Sequence, residues 1–142
     1  MLLAVANRNR ELAEDLIAVS VSCAHPNQSR YLPADQRSPH CGSCVPCIIR
    51  RAAAQHADVD DARYAFDLPR ALAELRAQQS GRAEDPLAFI YALETRARPA
   101  RPFDIAKSGP LHAETDSALR DLLRVYDAGM DEVARHLGVP IR

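Results

Sequence analysis

Four cysteines, Cys23, Cys41, Cys44 and Cys47, are the residues whose type and spacing could do chemistry, and the 142-residue chain contains no others. The last three stand in the run Cys41-Gly42-Ser43-Cys44-Val45-Pro46-Cys47, a C-x2-C-x2-C pattern, and Cys23 lies upstream across a polar, proline-containing stretch. Four thiolates close a tetrahedral zinc shell with no open position, so such a site would be structural and would set the fold of the segment around it. Other uses compete. Disulfides need an oxidising compartment, and the opening MLLAVANRNRELAEDL has only a short apolar run with no basic segment before it, which does not read as a signal peptide. An iron–sulfur cluster is the nearer rival, because C-x2-C-x2-C also occurs in ferredoxin-type runs. Those runs continue to a nearby fourth Cys followed by Pro, whereas Cys47 leads into Ile48-Ile49-Arg50. A redox C-x-x-C needs a βαβ context, and no such pattern is found. Zinc is the favoured expectation, with the cluster still open.

The elements that must position these thiols read as helical. Leu12, Ala13, Leu16 and Ile17 recur at helical spacing and predict a helix over about 8–19. Val19 to Ser22 reads as a short extended piece delivering Cys23, and His25 to Pro39 as an irregular, turn-rich loop that includes Asp35. Gly42 allows the tight turn that points backbone amides at a sulfur. A helix begins near Pro46, which suits a first turn, and puts Cys47 near a helix N-terminus where the dipole favours a thiolate. Asp67 is expected to cap a helix running to Gln79, and Asp85-Pro86 to open another over about 86–97. Arg98 to Pro102 breaks the pattern, and Asp104 to Pro110 reads as a connector. The strongest periodicity is the stripe Leu119, Leu122, Leu123, Tyr126, Met130, Val133, Leu137, stopped by Gly138 and Pro140.

No strand ladder is found. The expected fold class is mainly α, a small helical array around a four-cysteine zinc knuckle, with residues 1–57 forming a helix plus knuckle and 58–142 a helical extension continuous with it. With 18 basic and 19 acidic residues the chain lacks the basic excess of a nucleic-acid binder. No apolar run approaches the roughly 20 residues of a membrane span, so a cytoplasmic protein is expected. Aromatic residues are 5% and Trp is absent, so the core must be aliphatic and modest. The terminal stripe then exceeds what the Ala-rich helices can cover, and a homodimer or a second subunit is expected on it.

Ser22-Cys23, then His40-Cys41-Gly42-Ser43-Cys44-Val45-Pro46-Cys47-Ile48-Ile49-Arg50-Arg51-Ala52, resembles the zinc-binding segment of the 7-cyano-7-deazaguanine synthase (QueC) family. That pattern reads S-C, a variable loop, then C-G-x-C-x-x-C-x-x-R, and the chain matches it throughout. Cys23-Ala24-His25-Pro26 and Cys44-Val45-Pro46-Cys47-Ile48-Ile49-Arg50-Arg51 are most similar to a divergent branch, the QueC-like proteins of the Qat anti-phage system (QatC). Gly109-Pro110-Leu111 and the stretch from Val125 to Glu132 carry the same flavour more weakly. The resemblance implies an ATP pyrophosphatase that adenylates a carboxylate and converts it with ammonia to an amide and then a nitrile, as in queuosine-type base modification. It implies an N-terminal α/β nucleotide domain with an S-G-G-x-D-S loop. No such loop and no other Gly-rich phosphate loop occurs in this sequence. The chain therefore resembles the zinc-binding C-terminal portion of such a protein, is expected not to be catalytic alone, and implies the missing nucleotide-binding domain or another subunit as partner.

In this reading Cys23, Cys41, Cys44 and Cys47 hold zinc. Arg50 matches the family Arg and either reaches a phosphate or substrate carboxylate or offsets the charge of the tetrathiolate. His40 either replaces a ligand or, as is favoured, lies just outside the shell or in solvent. His25 reads as a loop residue, with a place just outside the metal shell as the alternative, Arg51 is expected in solvent, and Ser22 could hydrogen-bond within the knuckle. Asp58, Asp60, Asp61 and Asp131-Glu132 read as solvated faces and caps. The alternative is a free-standing zinc-stabilised protein-interaction module using the terminal stripe.

Overall fold

A computed structural model describes residues 2–34, 37–59, 63–96, 98–107 and 115–141. Asp35, Asp60, Asp61 and Gly109-Pro110-Leu111, singled out above, lie outside these residues. Seven α-helices form among those described: α1 (Leu2–Ala6), α2 (Arg10–Val19), α3 (Val45–His56), α4 (Leu68–Ala77), α5 (Glu84–Thr95), α6 (Pro102–Ala106) and α7 (Asp116–Leu137). Short 3-10 turns span Pro26–Tyr31 and Gly81–Ala83. Among the described residues no strand forms, and one parallel bridge joins His40 to Tyr64. The chain is mainly helical around its cysteines, as the periodicity predicts.

Local chemistry sets most boundaries. Asn9 caps α2 by accepting from the Leu12 amide at 3.0 Å, and Thr115 caps α7 by accepting from Ala118 at 3.1 Å. Gly138, at φ 68°, ends α7 in a left-handed turn whose following amide, Val139, returns to the Ala134 carbonyl at 2.9 Å. Two expected caps do something else. Asp67 precedes α4, but its carboxylate pairs with Arg51 at 3.1 Å and Arg70 at 3.3 Å. Asp85 lies inside the first turn of α5, because the Gly81–Ala83 turn starts that helix earlier, and its Oδ2 accepts from Val45, the first residue of α3, at 3.1 Å.

Helix α3 is the hub. One face places Ile48 and Ala52 against Leu68, Leu75, Ala83, Val133 and Leu137, the larger aliphatic core. Another places Ala54 against Ala13, Ile17, Ala57 and Val59 beneath α1 and α2. Its N-terminal turn carries Cys47 into the cysteine cluster. On the far side, Arg96 bridges Asp127 at 2.8 Å and Asp131 at 2.6 Å, and Arg98 grips Asp131 through both oxygens at 2.6 and 2.7 Å. Asp131 is thus a member of a largely buried ion network and not the solvated acid expected from the sequence. Glu132 lies 3.8 Å from His56.

The α7 stripe is covered unevenly. Met130, Val133 and Leu137 are buried, Leu119, Leu123 and Tyr126 are half-buried, and Leu122 is 39% exposed. No helix among the described residues is long and apolar enough to cross a membrane.

Candidate metal centre

The four cysteines converge from three pieces of chain: the segment after α2, the turn before α3, and the first turn of α3 itself. Their sulfurs all lie within 4.8 Å of one another, with Cys41, Cys44 and Cys47 buried and Cys23 half-buried. A tetrahedral ion with bonds of about 2.3 Å needs sulfur–sulfur edges of about 3.8 Å. The Cys41–Cys47 and Cys23–Cys44 edges are 3.9 and 4.0 Å. These are too long for a disulfide, and the four thiols are free. A multi-iron cluster distributes its thiolates over different irons, which spreads them further than one ion does. The observed spacing fits a single metal ion.

Backbone amides are turned toward the sulfurs. His25 donates to Cys23 at 3.3 Å, Ala24 to Cys44 at 3.4 Å, Cys41 to Cys23 at 3.4 Å and Cys44 to Cys41 at 3.4 Å. Such bonds stabilise thiolate charge that a dication neutralises only in part. Gly42 makes this turn possible in two ways. Its φ is 89°, and a Cβ there would stand 2.4 Å from the Phe66 carbonyl oxygen. That close approach exists because residues 64–66 run alongside the knuckle, with Ala65 donating to His40 at 2.9 Å and Phe66 to Cys41 at 3.1 Å.

Packed together, the thiols share charge unequally. Cys41 is pulled down to about 3, chiefly because Cys47 donates to it, with burial opposing and the Ser43 and Cys44 amides assisting. Cys47 is pushed up for the same reason seen from the other side, and Cys44 is pushed up by burial. The contact therefore favours a thiolate on one of the two sulfurs and a thiol on the other. Placing four thiolates here requires a cation, which is the proton release that accompanies metal binding.

Arg50 turns away from the sulfurs. Its Nη1 donates to Ser20 Oγ at 2.5 Å and its Nη2 to the Ile17 carbonyl, so the guanidinium closes the C-terminus of α2. Contact with a ligand would have to displace these bonds. His40 is 4% exposed and packs on Tyr64 with ring centroids 5.4 Å apart, so it is not the solvated residue allowed for by the sequence. Arg51 is also buried more than expected, with its guanidinium 4.8 Å above the Tyr64 ring and its side chain 17% exposed beside Asp67. Ser22 is exposed.

Sequence reasoning missed the supporting shell. Ser38 donates to the Arg63 carbonyl and accepts from the His40 amide at 3.1 Å, fixing the entry to Cys41. Ser43 points its hydroxyl at Cys41 Sγ, 3.8 Å away. Tyr64 and Asp85 arrive from outside the motif, and no local spacing signals them. No family model, curated protein or solved structure matches this chain.

Proposed function

We propose that this chain is a zinc-stabilised helical module in which Cys23, Cys41, Cys44 and Cys47 hold one structural Zn2+. We further propose that it is the C-terminal portion of a cytoplasmic QueC-like, ATP-dependent adenylating protein, in base modification or anti-phage defence, that works beside a nucleotide-binding domain. The observation that carries the metal reading is the convergence of four sulfurs into a shell the size of one tetrahedral ion. Zinc suits it because thiolate-only tetrahedral sites are its usual structural home. The family reading is supported by the motif. Gly42 and Arg50, the two non-cysteine positions that the pattern specifies after the loop, have defined jobs, Gly42 in the knuckle turn and Arg50 in fixing the end of α2 that leads to Cys23.

Elemental analysis with X-ray absorption tests the first proposal: one zinc per chain and four sulfur neighbours at about 2.3 Å are expected. Iron with cluster absorption in anaerobically purified protein would overturn it. The DNA upstream of the first codon tests the second. An in-frame S-G-G-x-D-S supports the family reading, and a separate ribosome site directly ahead of Met1 opposes it.

A second reading, a free-standing zinc-stabilised protein-interaction module, is favoured by apolar side chains left in water. Leu12, Leu16 and Val19 share the outer face of α2 at 47, 50 and 78% exposure, and Val125 on α7 is 65% exposed. Direct nucleic-acid binding is not proposed, given a net charge of −1.

A further inference from the structure

Beside the cysteine cluster lies an open cavity of about 280 Å3, lined by His25, Ser43, Cys44, Ser80, Arg82 and Asp85 among others. It is the gap between the knuckle and the Gly81–Ala83 turn that leads into α5. Nothing in the metal shell uses it, since a four-thiolate site has no open position.

Arg82 dominates its chemistry. The guanidinium carbon sits 4.6 Å above the Phe66 ring, which fixes the plane of the group. Its Nε is sealed from solvent and has no hydrogen-bond partner among the described residues. The two Nη groups are not sealed, and no carboxylate among the described residues pairs with them. A planar cation held against a ring, with its outer edge open, is the form in which Arg recognises oxyanions. The neighbours add donors. Ser80 Oγ accepts from the Arg82 amide at 3.3 Å, which leaves its own proton to donate. The exposed His25 stands at the rim. Asp85 is the only carboxylate among the lining residues, and its Oδ2 is committed to the Val45 amide at the N-terminus of α3, where the helix dipole offsets its charge.

We propose that this cavity binds an oxyanionic group, a phosphate or a carboxylate, of a small molecule, with Arg82 as the primary contact and Ser80 as the second. The volume is just below the usual range for small-molecule sites, which suits one charged group with little attached. This goes beyond the metal-site reading and rests on it only for the order of the knuckle wall.

The test is an NMR titration of the metal-loaded full chain, with inorganic phosphate in one series and sodium acetate in another. Sodium chloride at matched ionic strength is the control. Saturable shifts at the Ser80, Gly81 and Arg82 amides are expected with at least one of the two and not with chloride, and whichever binds identifies the group. Arg82→Gln should weaken binding about tenfold or more, because a charge-assisted contact is lost. Asp85→Asn keeps an oxygen for the Val45 amide and removes the charge, so it should tighten binding about threefold, a gain that misfolding cannot mimic. Zinc is measured in every sample, so that loss of metal counts against the metal site and not against the cavity. Unsaturable shifts shared with chloride, or an affinity unchanged in Arg82→Gln with zinc retained, would overturn the proposal.

Discussion

Around the cysteines the buried side chains are small, polar or thiol: Ser38, His40, Ser43, Cys41, Cys44 and Cys47. Around the C-terminal half of α7 they are Ile48, Leu68, Leu75, Val133 and Leu137. The two regions meet at the N-terminal turn of α3, on the consecutive residues Cys47 and Ile48, yet little aliphatic area is removed from water in the first and a contiguous core in the second. Apolar burial at roughly 25 cal/mol per Å2 can hold the α7 layer together. It cannot do the same for a loop of hydroxyls and sulfurs, which a metal ion held by the four cysteines would order. The difference predicts two stabilities in one chain, one set by a metal and one by packing.

The largest effect should come from taking the centre away. Structural zinc contributes about 10–16 kcal/mol in small modules. Cys44→Ser, or a strong chelator, should therefore cost the metal and hydrogen-exchange protection across residues 20–34, 37–45 and 63–66, while α5 and α7 keep theirs. Protection lost uniformly along the chain would mean that the two regions are one cooperative unit. Gly42→Ala attacks the same region without touching a ligand. A side chain at φ 89° and 2.4 Å from a carbonyl oxygen should cost about 3 kcal/mol in a denaturant titration and weaken metal affinity. The mirror experiment is Asp131→Ala, which leaves Arg96, with a side chain only 9% exposed, short of a partner. It should cost a similar amount, about 3 kcal/mol, with zinc stoichiometry unchanged. Metal loss in that variant would break the comparison.

A smaller effect belongs to His136, buried between the layers with Nδ1 donating to Gln55 Oε1 at 2.9 Å and Nε2 without a partner among the described residues. Burial, aided by Arg51 and opposed by Asp67, lowers its pKa from 6.5 to about 4. The neutral ring is the native form. Between those values the unfolded chain binds the extra proton, so the His136 contribution is complete above pH 6.5 and falls away as pH drops toward 4. At pH 5 about 1–2 kcal/mol should be gone relative to pH 7. Acid would also displace a metal held by the cysteines, so the measurement is the difference in pH slope between the native chain and His136→Asn. Equal slopes would show that the ring is not the group responsible.

What the sequence made legible divides along the same line. The C-x2-C-x2-C run of Cys41, Cys44 and Cys47, the Gly42 turn, the start of α3 at the cysteines and the stop at Gly138 are local, and each depends on residues within a few positions. The two short helices α1 and α6, of five residues each, are too brief for a period to repeat. Asp85 and Asp67 were readable as helix-start residues, and both stand at helix starts. Their carboxylates instead serve α3 and Arg51, partners distant in sequence, and no period encodes such a choice. Asp131 looked like one more surface acid because Arg96 and Arg98, which bury it, lie more than thirty positions away. Arg50 followed the motif in sequence, and its bonds to the end of α2 appear only once α2 and α3 are packed.

The smallest effect on stability, and the sharpest on the comparison, concerns the N-terminal half of α7. Ala118, Leu122, Val125 and Gly129 follow one another at helical spacing, and a Cβ placed at Gly129 would meet nothing within 4 Å. Leu122 and Val125 are 39 and 65% exposed, whereas Met130 is 8% exposed and belongs to the packed half. Met130→Glu would therefore test the fold, and Leu122→Glu with Val125→Glu tests the surface. If the α7 layer is complete by itself, the double variant should change stability by no more than about 0.5 kcal/mol, as surface substitutions do. If the layer is half of an interface, the native chain should self-associate at high micromolar concentration in sedimentation experiments, and the double variant should be monomeric with its zinc intact. We expect the second outcome, because this stripe continues a packed face of α7 into solvent without a change in chemistry. A native chain that sediments as a monomer at that concentration would show that packing, like the convergence of the four cysteines, is completed within one copy, and the partner reading of α7 would fail.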